Sequence, residues 1–545
     1  MTSVSQGTLF TNGTVWTGRT TTHALAVSAG RVVATGADAL DLASGWTVED
    51  LEGGLALPAF RDGHAHPLSG GRERNGLDLA DVASIDAVLA AVADWLAAHP
   101  GNGWVRGSNF SLALFGPEGP EARVLDRVTG DRPVALFSDD HHTCWVNSAA
   151  LAAAGLDADA PDPALGAVRR YGDGTPTGAL FEWGALALIE AMLPDVGLDE
   201  HLAGLATGQR ALARNGIVWA LDAAVGPEEV AAYEAAARAG ALTCRFDLAT
   251  RLEPGRWRTR VPTLVAERDR FAADPELAPW VTTNTVKFFA DGVIEGRTGY
   301  LLEPYHDHVH DCGLPNWDAA ELAEAATAFD AAGFEIHVHA IGDGGIRMAL
   351  DAIEHAITRN GVRPRRPVIA HTQLVDPGDR PRFARLGVIA NFEPLWACLD
   401  PGMVELTIPR LGPERSMLQY PIESIRRTGA RISFGSDWPV TSISPLRGLA
   451  VAVTRQTPAG EPVDGWIPDE RVAIADALAA YTSGVAVQAG DHDAGRLEPG
   501  ERADVCVLEA DITALSGREI ADVAVRSTWV GGNDVYRRAS SGSVS

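Results

Sequence analysis

Lysine is nearly missing from this chain: among 45 lysines and arginines, Lys287 alone is a lysine. Arginine supplies a positive charge wherever one is wanted, but its guanidinium does not deprotonate in a protein and cannot act as an amine. Plain charge is therefore a poor reason for Lys287. Cysteine is scarce too. Cys144, Cys244, Cys312, Cys398 and Cys506 lie far apart without a CxxC pair, which excludes a disulfide framework or thiolate zinc site and fits a reducing, cytoplasmic setting. No run of about 18 apolar residues occurs, so no membrane-spanning helix is predicted. The opening MTSVSQGTLFTNGTVW has no basic stretch followed by an apolar one, and no export signal is expected from it. Positive charge is outweighed as well. A formal net charge of −27 argues against nucleic acid or an anionic membrane surface as partner, leaving a small-molecule substrate and, among proteins, a second copy in a homodimer. The abundance of alanine, glycine and arginine is that expected of a GC-rich bacterial genome; it explains why lysine is rare, not why one remains.

What is present suffices for a large core. With 545 residues, 46% of them hydrophobic, the chain is long enough for several ordinary domains or for one barrel with additions. Both ends read as short strands. TLFTNGTVW is expected to form a hairpin about Asn12-Gly13 and ALAVSAGRVVATG to turn at Gly30, while residues 503–511 and 523–536 alternate or run apolar between turn residues. Residues 1–54 and 497–545 are thus predicted to build one small β-sandwich domain.

Between them, residues 55–496 alternate apolar strands with helices. The strand candidates are 55–60, 216–222, 245–250, 284–291, 334–343, 366–372, 387–392 and 430–437, the eight of an α/β (β/α)₈ TIM barrel. Ser84 is expected to cap a helix that buries Ile85, Val88, Leu89, Val92, Trp95 and Leu96, and Asp318 to cap another that stops at Gly333. Only one connection is anomalous: about 150 residues separate His66 from the second strand, far beyond a usual loop of roughly 2–6 residues. An inserted lid subdomain is predicted at about 70–212, leaving from the barrel face where such folds build their sites.

The chemistry gathers at strand ends. FRDGHAHP sets His64 and His66 two residues apart after the first apolar run, so both imidazoles can face one cation. His339 ends FEIHVHAIGD, His371 ends VIAHT, Asp437 ends ISFGSD, and Lys287 lies at the matching place in NTVKFFADG. Strands one, four, five, six and eight each deliver a metal-competent side chain to one face. His337 rivals His339 but is expected one layer deeper, and HDHVHD (306–311) is read as a solvated loop. Lys287 has three readings: an ion pair with a carboxylate such as Asp291, a Schiff-base amine, or a carbamate bridging two metal ions.

These motifs resemble the amidohydrolase superfamily, in the branch (amidohydrolase family 3) that contains N-substituted formamide deformylase. The resemblance runs through PAFRDGHAHP, DDHHTCWVNSAAL, VKFFADG, HVHAIGD, IAHTQLVDP and FGSDWPV, and continues in GRLEPGERADVCVLEAD and VRSTWVGG near the end. It implies that His64 and His66 hold a first divalent metal, that N6-carboxylysine at Lys287 bridges to a second held by His339 and His371, and that Asp437 sits beside the first. Zinc is the expected ion. The chain departs from the family at His141, where glycine is common before the motif histidine His142. The implied reaction is hydrolysis of the C–N bond of a small apolar or aromatic N-substituted amide, by a hydroxide shared between metals roughly 3.5–4 Å apart, with Asp437 as general base and acid. Trp145, Phe288 and Trp438, with His142, are the expected substrate-binding residues; Trp183, Trp396 and Phe289 are further aromatics beside the motifs. Two other readings stand: a one-metal deaminase of the same superfamily, and a non-catalytic barrel acting as a binding or scaffold subunit.

Overall fold

Eight apolar segments pair in parallel, in sequence order, into a nearly closed barrel. The computed structural model describes residues 7–42, 44–115, 119–163 and 165–539. The barrel strands, numbered 1 to 8 here, are Phe60–Ala65, Ile217–Val225, Arg245–Arg251, Val281–Phe289, Glu335–Ala340, Val368–His371, Ile389–Phe392 and Ile432–Phe434. Seven match the sequence expectation. The first is displaced: LALPAF divides at Pro58, whose preceding residues Leu55–Pro58 pair with Val505–Leu508 in another sheet, and the barrel strand starts at Phe60 and contains Asp62 and His64. A continuous apolar run does not reveal that its two halves serve different sheets.

Strands 8 and 1 meet through backbone bonds past the end of strand 8. The amides of Ser436 and Asp437 donate to the His64 carbonyl, at 3.2 and 2.8 Å. A side chain at Gly435 would come within 2.8 Å of the His64 backbone nitrogen, so glycine is what permits this approach. Helices follow the predicted caps: Ser84 accepts from the amide of Ala87 at the start of Ile85–Ala98, and Asp318 from Ala320 and Glu321 at the start of Ala319–Ala331.

The two chain ends form a sandwich. One sheet takes Thr8–Thr11, Leu25–Ser28, Arg31–Thr35 and Thr47–Asp50; the other takes Thr14–Trp16, Thr21–Thr22, Leu55–Pro58, Val505–Leu508, Val525–Val530 and Asn533–Arg537. Phe10, Val15, Leu25, Val505, Val507 and Trp529 pack between them. The Gly30 hairpin forms as expected, with Ala29 and Gly30 both left-handed. The Asn12-Gly13 turn does not make a hairpin. Asn12 is left-handed (φ 60°), but the strands on either side belong to different sheets, so the turn carries the chain across the sandwich. The strand Leu55–Pro58 also extends this unit beyond residue 54.

The insertion is a folded subdomain with a six-stranded sheet and two apolar clusters of its own. Its first and last helices, Pro67–Asn75 and Leu198–Arg214, behave differently: Leu68, Leu205 and Leu212 join the barrel core. Gly71, Gly204 and Gly208 let those two helices cross almost backbone to backbone. The part with a separate core is therefore shorter than 70–212.

Candidate functional site

Side chains alternate along a strand, and this periodicity gathers the polar set. Strand 1 brings His64, past a bulge that follows Asp62, and His66 follows just beyond its end. Strand 4 brings Lys287, strand 5 His337 and His339, strand 6 His371, and the turn after strand 8 Asp437. The rings of His64 and His371 lie 4.7 Å apart and those of His339 and His371 4.5 Å apart. Lys287 Nζ is 3.2 Å from His64 Nε2. All six predicted ligands are thus brought to one place.

Three of the ligand imidazoles have one nitrogen tied back into the protein and the other turned to the cluster, where His64 Nε2 meets Lys287 Nζ. His64 Nδ1 bonds His337 Nε2 at 2.8 Å, His339 Nε2 donates to the Gly292 carbonyl at 3.2 Å, and His371 Nδ1 donates to Glu393 at 2.9 Å. With a proton held on the committed side, His64 Nε2, His339 Nδ1 and His371 Nε2 keep lone pairs. Burial, reinforced by one another and by Lys287, pushes His64, His337 and His339 well below the ordinary histidine value, so these rings are neutral. Neutral imidazoles are metal ligands, not anion binders.

The carboxylate side completes the case for a cation. His64, His66 and Asp437 each present a ligand atom within 4.8 Å of the other two. Asp437 Oδ1 is 3.1 Å from His66 Nε2 and 3.4 Å from His64 Nε2, yet it is buried and makes no hydrogen bond. A buried carboxylate oxygen left without a donor is costly unless a cation occupies the gap. Burial pushes Asp437 up, but His66, His371 and Lys287 outweigh it and hold the carboxyl below its usual range. Asp437 (φ 52°) and His371 (φ 72°) are both left-handed, a conformation costing roughly 1–3 kcal/mol at a non-glycine residue and tolerated where the surroundings fix it.

Lys287 is wholly buried, and burial lowers its pKa to about 7 despite Asp437 and Glu393. It does not pair with Asp291. That carboxylate instead accepts from the amides of Tyr300, Ile341 and Gly342.

The cavity over this cluster measures about 320 Å³ and corrects the substrate-binding expectations. His142 lines it from the insertion, its ring 5.7 Å from that of His339 and its Nδ1 2.9 Å from Glu182. Burial opposes the charged form of His142, but Glu182 prevails and raises its pKa to about 9. Trp145 is elsewhere: its ring lies in the insertion core against Phe110 and Phe115, with Nε1 donating to the Glu121 carbonyl. Phe288 points out of the barrel onto Trp317 and Phe329, because it is one residue out of phase with Lys287. Trp438 is buried, packing on Gly70. The aromatics that do line the cavity are Trp183, Phe289 and Trp396, the last stacked on His371. His141 lines it too, left-handed (φ 60°) and 3.6 Å from Glu73.

Several site residues carried a signal that the motifs overshadowed. Glu393, just past strand 7, holds His371; Asp222, on strand 2, lies 4.0 Å from His66 and accepts from Tyr233; Arg251 ends strand 3. Each is a polar residue closing an apolar run. Asp62, two residues before His64, accepts from Ser436 and the His64 amide and so ties strand 1 to strand 8. The loop 306–311 is exposed from His306 to His310, as expected.

Known proteins resemble this chain over nearly its whole length. The profile of the Amidohydrolase family matches residues 47–536. The chain is 28% identical over 541 residues to N-substituted formamide deformylase of Arthrobacter pascens, covering 95% of this chain and 96% of that one. It is 29% identical over 551 residues to protein LONG AFTER FAR-RED 3 of Arabidopsis thaliana, covering 97% and 91%. An uncharacterized metal-dependent hydrolase from Pyrococcus furiosus shares its fold, with a TM-score of 0.71 and 24% identity over 93% of this chain and 100% of that one.

Proposed function

The chain belongs to the amidohydrolase family, and from that premise we propose that it hydrolyses the C–N bond of a small N-substituted amide at a two-metal centre. His64 and His66 would hold one ion and His339 and His371 the other, with Asp437 beside the first and Lys287, as a carbamate, between the two. Zinc is the proposed ion. The observation that carries this reading is that His64, His339 and His371 each have one nitrogen tied back and the other turned to the cluster, beside a buried aspartate oxygen that no donor satisfies.

A bound divalent ion supplies Lewis acidity and brings a water's pKa from 15.7 to about 7. The chain's own residues do the rest. An amine near pH 7 in its neutral form can add carbon dioxide, losing one proton and gaining the carboxylate that a bridge requires, and burial keeps Lys287 in that range. Asp437, held ionised, takes a proton from the attacking water and returns it to the departing nitrogen. His142, protonated through Glu182 and facing His339 across the cavity, is set to donate to the carbonyl oxygen as it gains charge. Trp183, Phe289 and Trp396 offer an apolar wall to the substrate body. The deformylase relative, whose name specifies N-substituted formamides, makes a formyl amide the first substrate to try.

The test is metal analysis with turnover of aryl and alkyl formamides, scored by released amine. Two ions per chain are expected, with activity abolished by chelation and by Lys287→Arg, which should keep the fold but lose metal. A chain without metal would sink the proposal. One ion per chain would favour the deaminase reading, which the mutual closeness of His64, His66 and Asp437 supports but which leaves Lys287 without a role.

A further inference from the structure

Strand 3 ends in a cation for which the proposed hydrolysis has no use. Arg251 is its last residue and stands in parallel register opposite Lys287, so its side chain leaves the inner face of the barrel beside the lysine. The guanidinium lies 4.3 Å from the ring centre of Trp183 and 5.5 Å from that of Phe289; the Phe289 ring is in turn 4.7 Å from Lys287 Nζ and 5.2 Å from the His339 ring. Aromatic faces hold a guanidinium by its flat side and leave the edge, where all five N–H groups point, free to bind.

That edge is unspent. Among the described residues the Arg251 guanidinium makes no hydrogen bond, and its one ion-pair contact is Glu253 at 4.0 Å, whose side chain is 49% exposed. Glu190 lines the same cavity and acts on Arg251 by charge alone, without an ion-pair contact among the described residues. The cavity's other arginines are directed elsewhere: Arg72 lies 3.6 Å from Glu200, and Arg106 lies over Phe137. Side by side with Lys287, Arg251 is the cation placed to meet a substrate group near the scissile bond.

We propose that Arg251 binds a carboxylate of the substrate, whose amide nitrogen or acyl carbon therefore bears an acid beside an apolar body, as in an N-acyl amino acid. The planar fork of the guanidinium matches a carboxylate in two parallel hydrogen bonds, and the aromatic wall accepts the apolar part. This rests on the amide-hydrolase reading above.

N-formylphenylalanine and N-formylphenethylamine differ by one carboxylate and make the test with the metal-loaded full chain. The wild type should favour the acid in kcat/KM by about tenfold or more, the range of a charge-assisted pair. Arg251→Met should lower that ratio at least tenfold, mainly through KM, and Arg251→Lys should recover part of it. An unchanged ratio overturns the proposal. So does a parallel fall for both compounds, which would make Arg251 a positioning residue for Lys287. If the wild type cleaves neither, the amide reading fails on its own, and binding of N-formylphenylalanine read by tryptophan fluorescence still decides: about tenfold weakening in Arg251→Met supports the site, whereas equal or absent binding overturns it.

Discussion

His142 shows how a residue's environment, not its type, sets its task. His64 and His339 are pushed neutral by burial, whereas His142, equally enclosed, is raised to about 9 because Glu182 faces its Nδ1. A histidine whose folded value exceeds the ordinary 6.5 stabilises the fold fully below pH 6.5, and this contribution fades as pH rises through about 9. The difference in Tm between wild type and His142→Gln, measured on chelated protein so that no dication competes, should therefore shrink between pH 6.5 and 9. A difference that stays flat across that interval would refute the pairing. His142 and the strand-end ligands were legible as residue types in sequence; Glu182, some 40 positions away, was not, because nothing local says that it returns to His142.

At the level of elements, the join between strands 8 and 1 governs the site. Gly435 has no room for a Cβ, since the atoms it would strike belong to the backbone and Cβ of His64 and cannot swing away. Gly435→Ala should cost about 1–3 kcal/mol, the usual penalty for overpacking, and weaken metal binding at the same time, since it displaces His64. Gly103→Ala, with nothing within 4 Å of the new methyl, is the control. Thermal unfolding with metal titration checks both; loss of stability without loss of metal would separate closure from the site. Strand phase likewise decides which aromatics matter. Phe289 shares the inward face with Lys287 while Phe288 turns outward, a consequence of alternation that counting from Lys287 already contained.

Across the whole molecule, the sandwich built from both chain ends is clamped to the barrel by charge. Arg61, on strand 1 and nearly fully buried, pairs with Asp491 and lies 4.8 Å from the Trp219 ring, while Arg245 on strand 3 reaches Asp504 at 2.9 Å. Asp491 is shared with Arg502 of the terminal segment. Removing one member of a buried pair costs roughly 3–5 kcal/mol, and the low end is expected for Arg61→Ala because Asp491 keeps Arg502. Denaturant unfolding of that variant should show the loss, with strand 1 and its His64 the first to feel it. An Arg61→Ala protein as stable as the wild type would remove the clamp from the account.

The sequence by itself determined the eight-strand alternation and the six strand-end side chains that could bind metal, and it pointed to β-rich ends and a long insertion without fixing their bounds. These follow from periodicity and from the chemistry of single residues, which act over a few positions. Only the tertiary structure decided that LALPAF serves two sheets, that Trp145, Phe288 and Trp438 turn away from the cavity, and that Arg251 stands beside Lys287. Those facts depend on register between segments tens to hundreds of residues apart. Register is fixed by how the whole barrel closes and packs, and no local pattern carries it.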